Sequence, residues 1–310
     1  MDKLQAERFS LNLGKWANLF MAFAGVAAAL LSNASALMLD GVFSGVNFLA
    51  AIFAARIATS VERQPDARRP FGYEIEEPIY VMFRSLVLSG ILLIAGLNAV
   101  FKIYQYARGD DLPPIELGWV TLYAALMTVI CFGLAALHHR AWKRTGKASQ
   151  LLATERTSTF IDGILSLAAG AAFLVIHQLQ GTFLGFLVPI SDAVVVLVLV
   201  IAMVPQPIRL LRGAMCDVVG AGVEGEALDE IRSAVIVALD PDEFFLLDLS
   251  VLRSGRSFII IPYLQPNRPL EPEVFDRTKA AMTRECGKIL APSRARVDAI
   301  ITQEPPFLEH

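Results

Sequence analysis

The sequence is short of charge and of the side chains that bind soft metals. Asp, Glu, Lys and Arg make up 18% of its 310 residues, against about 25% in soluble globular domains. The three cysteines, Cys131, Cys216 and Cys286, show no CxxC spacing, and an odd number cannot close a complete disulfide framework, so they read as scattered free thiols and support no redox conclusion. Neither HExxH nor GxSxG occurs, which leaves no sign of an enzyme and no permanently bound cofactor. The opening MDKLQAERFSLNLGKW is amphiphilic and lacks a small-residue cleavage site, so the first apolar stretch is expected to stay as a membrane helix. Nothing in the chain points to nucleic acid.

What the sequence has is apolar length. Hydrophobic residues are 55% of the total, and the mean hydropathy is positive. A window of about 20 residues spans a bilayer core. It places six helices near 12–32, 36–59, 79–105, 116–139, 152–177 and 187–211. Lys3, Arg8 and Lys15 precede or open the first. Arg56, Arg63, Arg68 and Arg69 lie at or in the second connection, and Arg140, Lys143, Arg144 and Lys147 in the fourth. Arg209 and Arg212 follow the sixth helix. The first and fifth connections carry no Lys or Arg, and the third has Arg108 with Lys102 at its edge. By the positive-inside rule both termini are expected in the cytoplasm.

Charge is denser after about residue 213. There, Leu228, Ile231, Val235 and Leu239 form one helical stripe. Two strands follow within FFLLDLSVLRSGRSFIIIPYL, turning at Ser254–Gly255. A helix over PEVFDRTKAAMTRECGKIL and a strand over SRARVDAIITQ complete the order αββαβ. The expected architecture is a six-helix transmembrane transport domain over 1–212, then a small cytoplasmic α+β domain of ferredoxin-like order over 213–310.

Two aspartates break the apolar runs. Asp40 lies in SNASALMLDGVFSGVNF and Asp162 in TERTSTFIDGILS. A carboxylate in mid-membrane costs about 2.5–3.5 kcal/mol on insertion scales and is rarely without a partner, an ion or a water path. Residues four apart share a helix face, which pairs Asp40 with Ser44 and Ser158 with Asp162. Asn47 continues the first stripe, while Ser166 and Glu155 extend the second. Two facing pairs would present four oxygens to a hard cation; no histidine or cysteine shares these faces. The competing structural readings are serines bonded to their own helices and salt bridges from Arg84 or Arg156 to the aspartates. Asp192 reads as an early-turn acid of the sixth helix. His138 and His139 read as interfacial and solvated, and Glu74, Glu76 and Glu77 as a solvated loop.

Six spans, the polar pairs in the second and fifth helices and the αββαβ tail together resemble the cation diffusion facilitator family. SNASALMLD is similar to that family's second-helix opening, which leads to an Asp-x-x-x-Asp pair. RRPFGYEIEEP is similar to its loop His-Pro-Phe-Gly-His-Gly-Lys-x-Glu. The resemblance implies a homodimer that exports divalent metal from the cytoplasm against protons by alternating access, in a bacterial inner membrane. It also implies that Asp40, Ser44, Ser158 and Asp162 bind the transported ion, with Asn47 adjacent.

The departures shift the expected ion. Ser44 stands where the family usually has aspartate, and Ser158 where it has histidine or aspartate. Hydroxyls are not among the usual zinc ligands, and the lost imidazole would have suited proton exchange. Mn2+, Fe2+ or Mg2+ is therefore favoured over Zn2+. Tyr73 and Ile75 replace the loop histidine and lysine, and the tail contains no histidine but His310, so metal sensing in its usual form is not expected there. The alternatives are a non-transporting scaffold or regulator and a transporter of Na+.

Overall fold

The computed structural model describes residues 3–61, 63, 66–67, 69, 72–144, 150–179, 181–183, 185–255, 257–291 and 293–304. Arg68, Pro70 and Phe71 of the second connection, Lys147 of the fourth and His310 fall outside them. The long helices are α1 (Lys3–Ser32), α2 (Ser35–Val61), α3 (Glu76–Ala107), α4 (Leu117–Arg144) and α5 (Gln150–Gln178). A sixth stretch is built from α6 (Ser191–Met203) and α7 (Pro205–Val219). Among the described residues, six helical segments are long and apolar enough to cross a membrane, the last covering Ser191–Val219.

The sixth segment was expected to be one helix. Alone, α6 is about 20 Å long at 1.5 Å per residue, short of a core of about 30 Å. Pro205 and Pro207 have no N–H to give to the preceding turn. Val204 keeps helical angles and bonds Val200 O, and Ile208 N bonds Val204 O in turn, so backbone hydrogen bonding carries on from α6 into the start of α7.

Residues 1–55 and 84–209 form one compact unit, and residues 56–83 and 210–310 another. In the first, α4 packs against α1 and α5, and α5 against α6. Its core includes Leu92, Val120, Met127, Phe173 and Val196. Large apolar side chains point outward instead, as Leu93, Ile94, Leu97, Val100 and Phe101 do on α3. That is the surface lipid requires, because only helices with satisfied backbones and apolar exteriors are stable there. Small residues let the helices close up. A Cβ on Gly25 would lie 2.6 Å from Gly41 Cα, and one on Gly170 would lie 2.6 Å from Ala124 Cβ.

In the second unit, α8 (Glu226–Ala238) and α9 (Pro272–Leu290) accompany a mixed sheet of β1 (Phe244–Ser254), β2 (Ser257–Pro266), β3 (Arg294–Val297) and β4 (Ile300–Ile301). β1 and β2 are antiparallel through a turn where Gly255 takes φ +58, the left-handed conformation a tight hairpin needs. β3 and β4 both run parallel to β2. They were expected as one strand. The pairs Ile260–Val297 and Tyr263–Ile300 keep one register, and pairing lapses only at Asp298 and Ala299, where the Asp298 carboxylate turns to Arg296 and Lys279. Ile231, Val235, Ile260, Leu264, Met282 and Cys286 fill the core beneath. The stripe Leu228, Ile231 and Val235, at helical spacing, selects the face that α8 buries, and on β2 it is Ile260 and Leu264 that are fully buried.

Candidate functional site

Asp40 on α2 and Asp162 on α5 line one cavity of about 50 Å³, with Tyr123 and Ala124 of α4, Ser166 and Phe173 of α5, and Leu199 and Met203 of α6. Asp40 Oδ2 accepts a hydrogen bond from the Tyr123 hydroxyl at 2.6 Å. The two carboxylates act on one another electrostatically. The rest of the lining is apolar. About 10–15 Å³ of such volume holds one water, so this space fits a few waters or one partly hydrated ion.

Both helices spell the same local pattern at the aspartate: Asp40-Gly41-Val42-Phe43-Ser44 and Asp162-Gly163-Ile164-Leu165-Ser166. The glycines explain the packing there. A Cβ on Gly41 would lie 2.8 Å from Val26 N, and one on Gly163 3.2 Å from Cys131 Cβ. Each aspartate is thus carried at a point where its helix backbone is pressed against a neighbour. At the first, the Tyr123 hydroxyl is itself 2.8 Å from where a Gly25 Cβ would stand.

Successive spans run in opposite directions, so α2 and α5 are antiparallel across the bundle. From α2 the other lining residues are Ala36, Leu37 and Leu39, which precede Asp40; from α5 they are Leu165, Ser166, Ala169, Gly170 and Phe173, which follow Asp162. The cavity therefore extends from the carboxylates toward the α1–α2 and α5–α6 connections. Ser44 and Ser158 lie one turn away in the other direction, toward the α2–α3 and α4–α5 connections, and are not in its lining. Ser44 is buried and Ser158 partly so. Asn47, further along the same stripe, accepts a bond from Arg84 Nη2 at 3.0 Å.

The salt-bridge explanation of the aspartates is not what the structure contains. Arg84 turns to Asn47, and Arg156 donates to His139 Nδ1 at 3.1 Å and stacks on Trp142. Asp192 opens α6, where Oδ2 accepts from Lys102 Nζ at 2.6 Å and Oδ1 from Ala36 N at 2.9 Å. Ser35 Oγ accepts from the same Lys102. Asp192 thus ties the start of α6 to α2 and α3. His138 is buried rather than solvated, with Nδ1 2.7 Å from Ser10 Oγ, because Gly14 leaves room for its ring against α1. In the second unit Glu76 pairs with Arg69 and Glu74 with Arg294. Tyr73 donates to Asp66 there, which raises its phenol above the usual range.

Among the described residues no group of three or more His, Cys, Asp or Glu converges to hold a metal. The site's chemistry is two carboxylates with neutral oxygens, a set suited to a hard cation. Tyr123 was not singled out from the sequence; near the start of a membrane helix a tyrosine reads as an interfacial anchor.

A bundle of six membrane helices around a paired-carboxylate cavity defines an integral, multi-pass membrane protein with an acidic intramembrane site. The model of the cation efflux transmembrane domain matches residues 13–216. The chain belongs to the cation efflux family, and its work is cation transport across a membrane. No curated protein matches the chain.

Proposed function

We propose that the protein moves a divalent cation out of the cytoplasm in exchange for protons, by alternating access, with Asp40 and Asp162 as the charged ligands. The observation that carries this reading is the placing of these two carboxylates in one cavity whose remaining lining is uncharged and largely apolar. Two carboxylates in such a space need compensating charge. One divalent ion supplies it, and so do protons, which makes the two alternatives exclusive and gives exchange. Mn2+, Fe2+ and Mg2+ are the favoured ions over Zn2+, since the remaining donors are hydroxyls.

Alternating access gives the serines a place. On the cavity side the aspartates are joined by Tyr123 and Ser166. When the opposite side opens, Ser44 and Ser158, one turn away on the other side, take their place, with Asn47 beyond. The ion keeps both carboxylates and changes its neutral partners. In this scheme residues 1–212 are the transport domain and 213–310 a cytoplasmic domain. Both termini are cytoplasmic, the membrane is a bacterial inner membrane and the working form is a homodimer.

Na+ transport is a second reading, favoured by the hydroxyls of Tyr123 and Ser166 beside the carboxylates. Ion flux in proteoliposomes with an internal pH dye separates the readings. Proton-coupled flux of one divalent ion, lost in Asp40→Ala and in Asp162→Ala, is the expected result. Flux of Na+ alone transfers the site to the second reading. Absence of any flux from folded protein overturns both and leaves a scaffold.

A further inference from the structure

A second polar layer lies two helical turns from the carboxylates, on the α2–α3 side. Asn47 follows Asp40 by seven residues and Glu155 precedes Asp162 by seven, so each repeats its aspartate's face about 10 Å along the helix. Arg84 joins them from α3. Its Nη2 donates to Asn47 Oδ1 at 3.0 Å, its charge acts on Glu155, and its Nε is buried without a hydrogen-bond partner. An arginine inside a membrane segment is rare and costly. One that leaves a buried donor unused calls for an explanation beyond packing.

Its charge offers one. Guanidinium does not deprotonate in proteins, so this layer carries a permanent cation. With all groups ionised, Asp40, Asp162 and Glu155 against Arg84 leave two negative charges, which a single divalent ion neutralises. Without Arg84 there would be three, and Glu155 with Asn47 would offer a cation its own carboxylate and amide oxygens.

We propose that Arg84 is a specificity-determining residue whose guanidinium stands in the Asn47–Glu155 layer where a second cation would bind, limiting the pathway to one divalent ion at Asp40 and Asp162. This rests on the divalent reading of that site.

Mn2+ titration of the full-length protein in nanodiscs tests the proposal, with Asp40→Ala/Asp162→Ala as the blank. Wild type and Arg84→Lys are expected to bind one Mn2+ per chain, and Arg84→Gln two. Arg84→Gln/Glu155→Gln is expected to return to one. Glu155→Gln alone, which leaves the guanidinium uncompensated, should weaken Mn2+ binding by about tenfold, and adding Arg84→Gln should restore it. A merely structural arginine would give neither the extra ion nor the rescue. One ion in Arg84→Gln, or unchanged affinity in Glu155→Gln, overturns the proposal while leaving the site reading intact. Wild type indistinguishable from the blank removes both.

Discussion

Asp40 and Asp162 are the residues on which transport is expected to depend most sharply. Asp162→Asn keeps the volume and removes the charge; flux should be lost while the amount of folded membrane protein is unchanged. Tyr123→Phe removes the donor that meets Asp40 at 2.6 Å. A hydrogen bond to a charged group is worth about 1.5–3 kcal/mol, so the half-saturating ion concentration should rise about tenfold or more, with maximal flux reduced less. Both aspartates were legible in the sequence, because a carboxylate in an apolar run is conspicuous against the cost of placing it there. Their serine partners were legible only in part. Spacing of four residues fixes the face of a helix but not the direction in which a cavity runs, and Ser166 is as far from Asp162 as Ser158 is. Tyr123 came from a third helix, and its pairing with Asp40 depends on the close approach of α1 and α2 at Gly25 and Gly41, which no local pattern declares.

At the scale of the element, the spans were readable because lipid demands long apolar runs, and their ends followed the charged connections. The division of the sixth was marked by Pro205 and Pro207, which have no N–H for the preceding turn, while the lapse between β3 and β4 goes with the Asp298 contacts to Arg296 and Lys279, which composition does not encode. The Lys102–Asp192 bond joins α3 to α6, and Asp192 is almost wholly buried. Removing one member of a buried pair costs about 3–5 kcal/mol, since the other is left uncompensated. Asp192→Ala should therefore lower the thermal midpoint of the detergent-solubilised protein markedly. Asp192→Ala/Lys102→Met should recover most of the loss. Gly41→Ala should also destabilise, because its methyl would be forced to 2.8 Å from Val26 N; overpacking of this kind costs about 1–3 kcal/mol. A Gly90→Ala control, where a methyl meets nothing within 4 Å, should be silent.

For the molecule as a whole, its own cysteines report its orientation. Cys216 is exposed, while Cys131 and Cys286 are buried, and burial pushes the Cys286 thiol up to about 11. Thiolate is the reactive form, so near neutral pH a membrane-impermeant maleimide should modify Cys216 and little else. With the proposed topology it reacts in inside-out vesicles and not in right-side-out ones; the reverse pattern would invert the topology. The Asp-Gly-x-x-Ser pattern, spelled once on α2 and once on the antiparallel α5, bears on the direction of travel. Sequence repeats of opposite orientation relate the two faces of a transporter by a pseudo-twofold axis in the membrane plane. Here Ser44 lies a turn from the carboxylates on one side and Ser166 a turn away on the other, so each side of the binding layer carries a hydroxyl. Under the proposed exchange such a layer would act as a turnstile rather than a ratchet: reversing the two gradients should make the same molecule fill the vesicle it had been emptying.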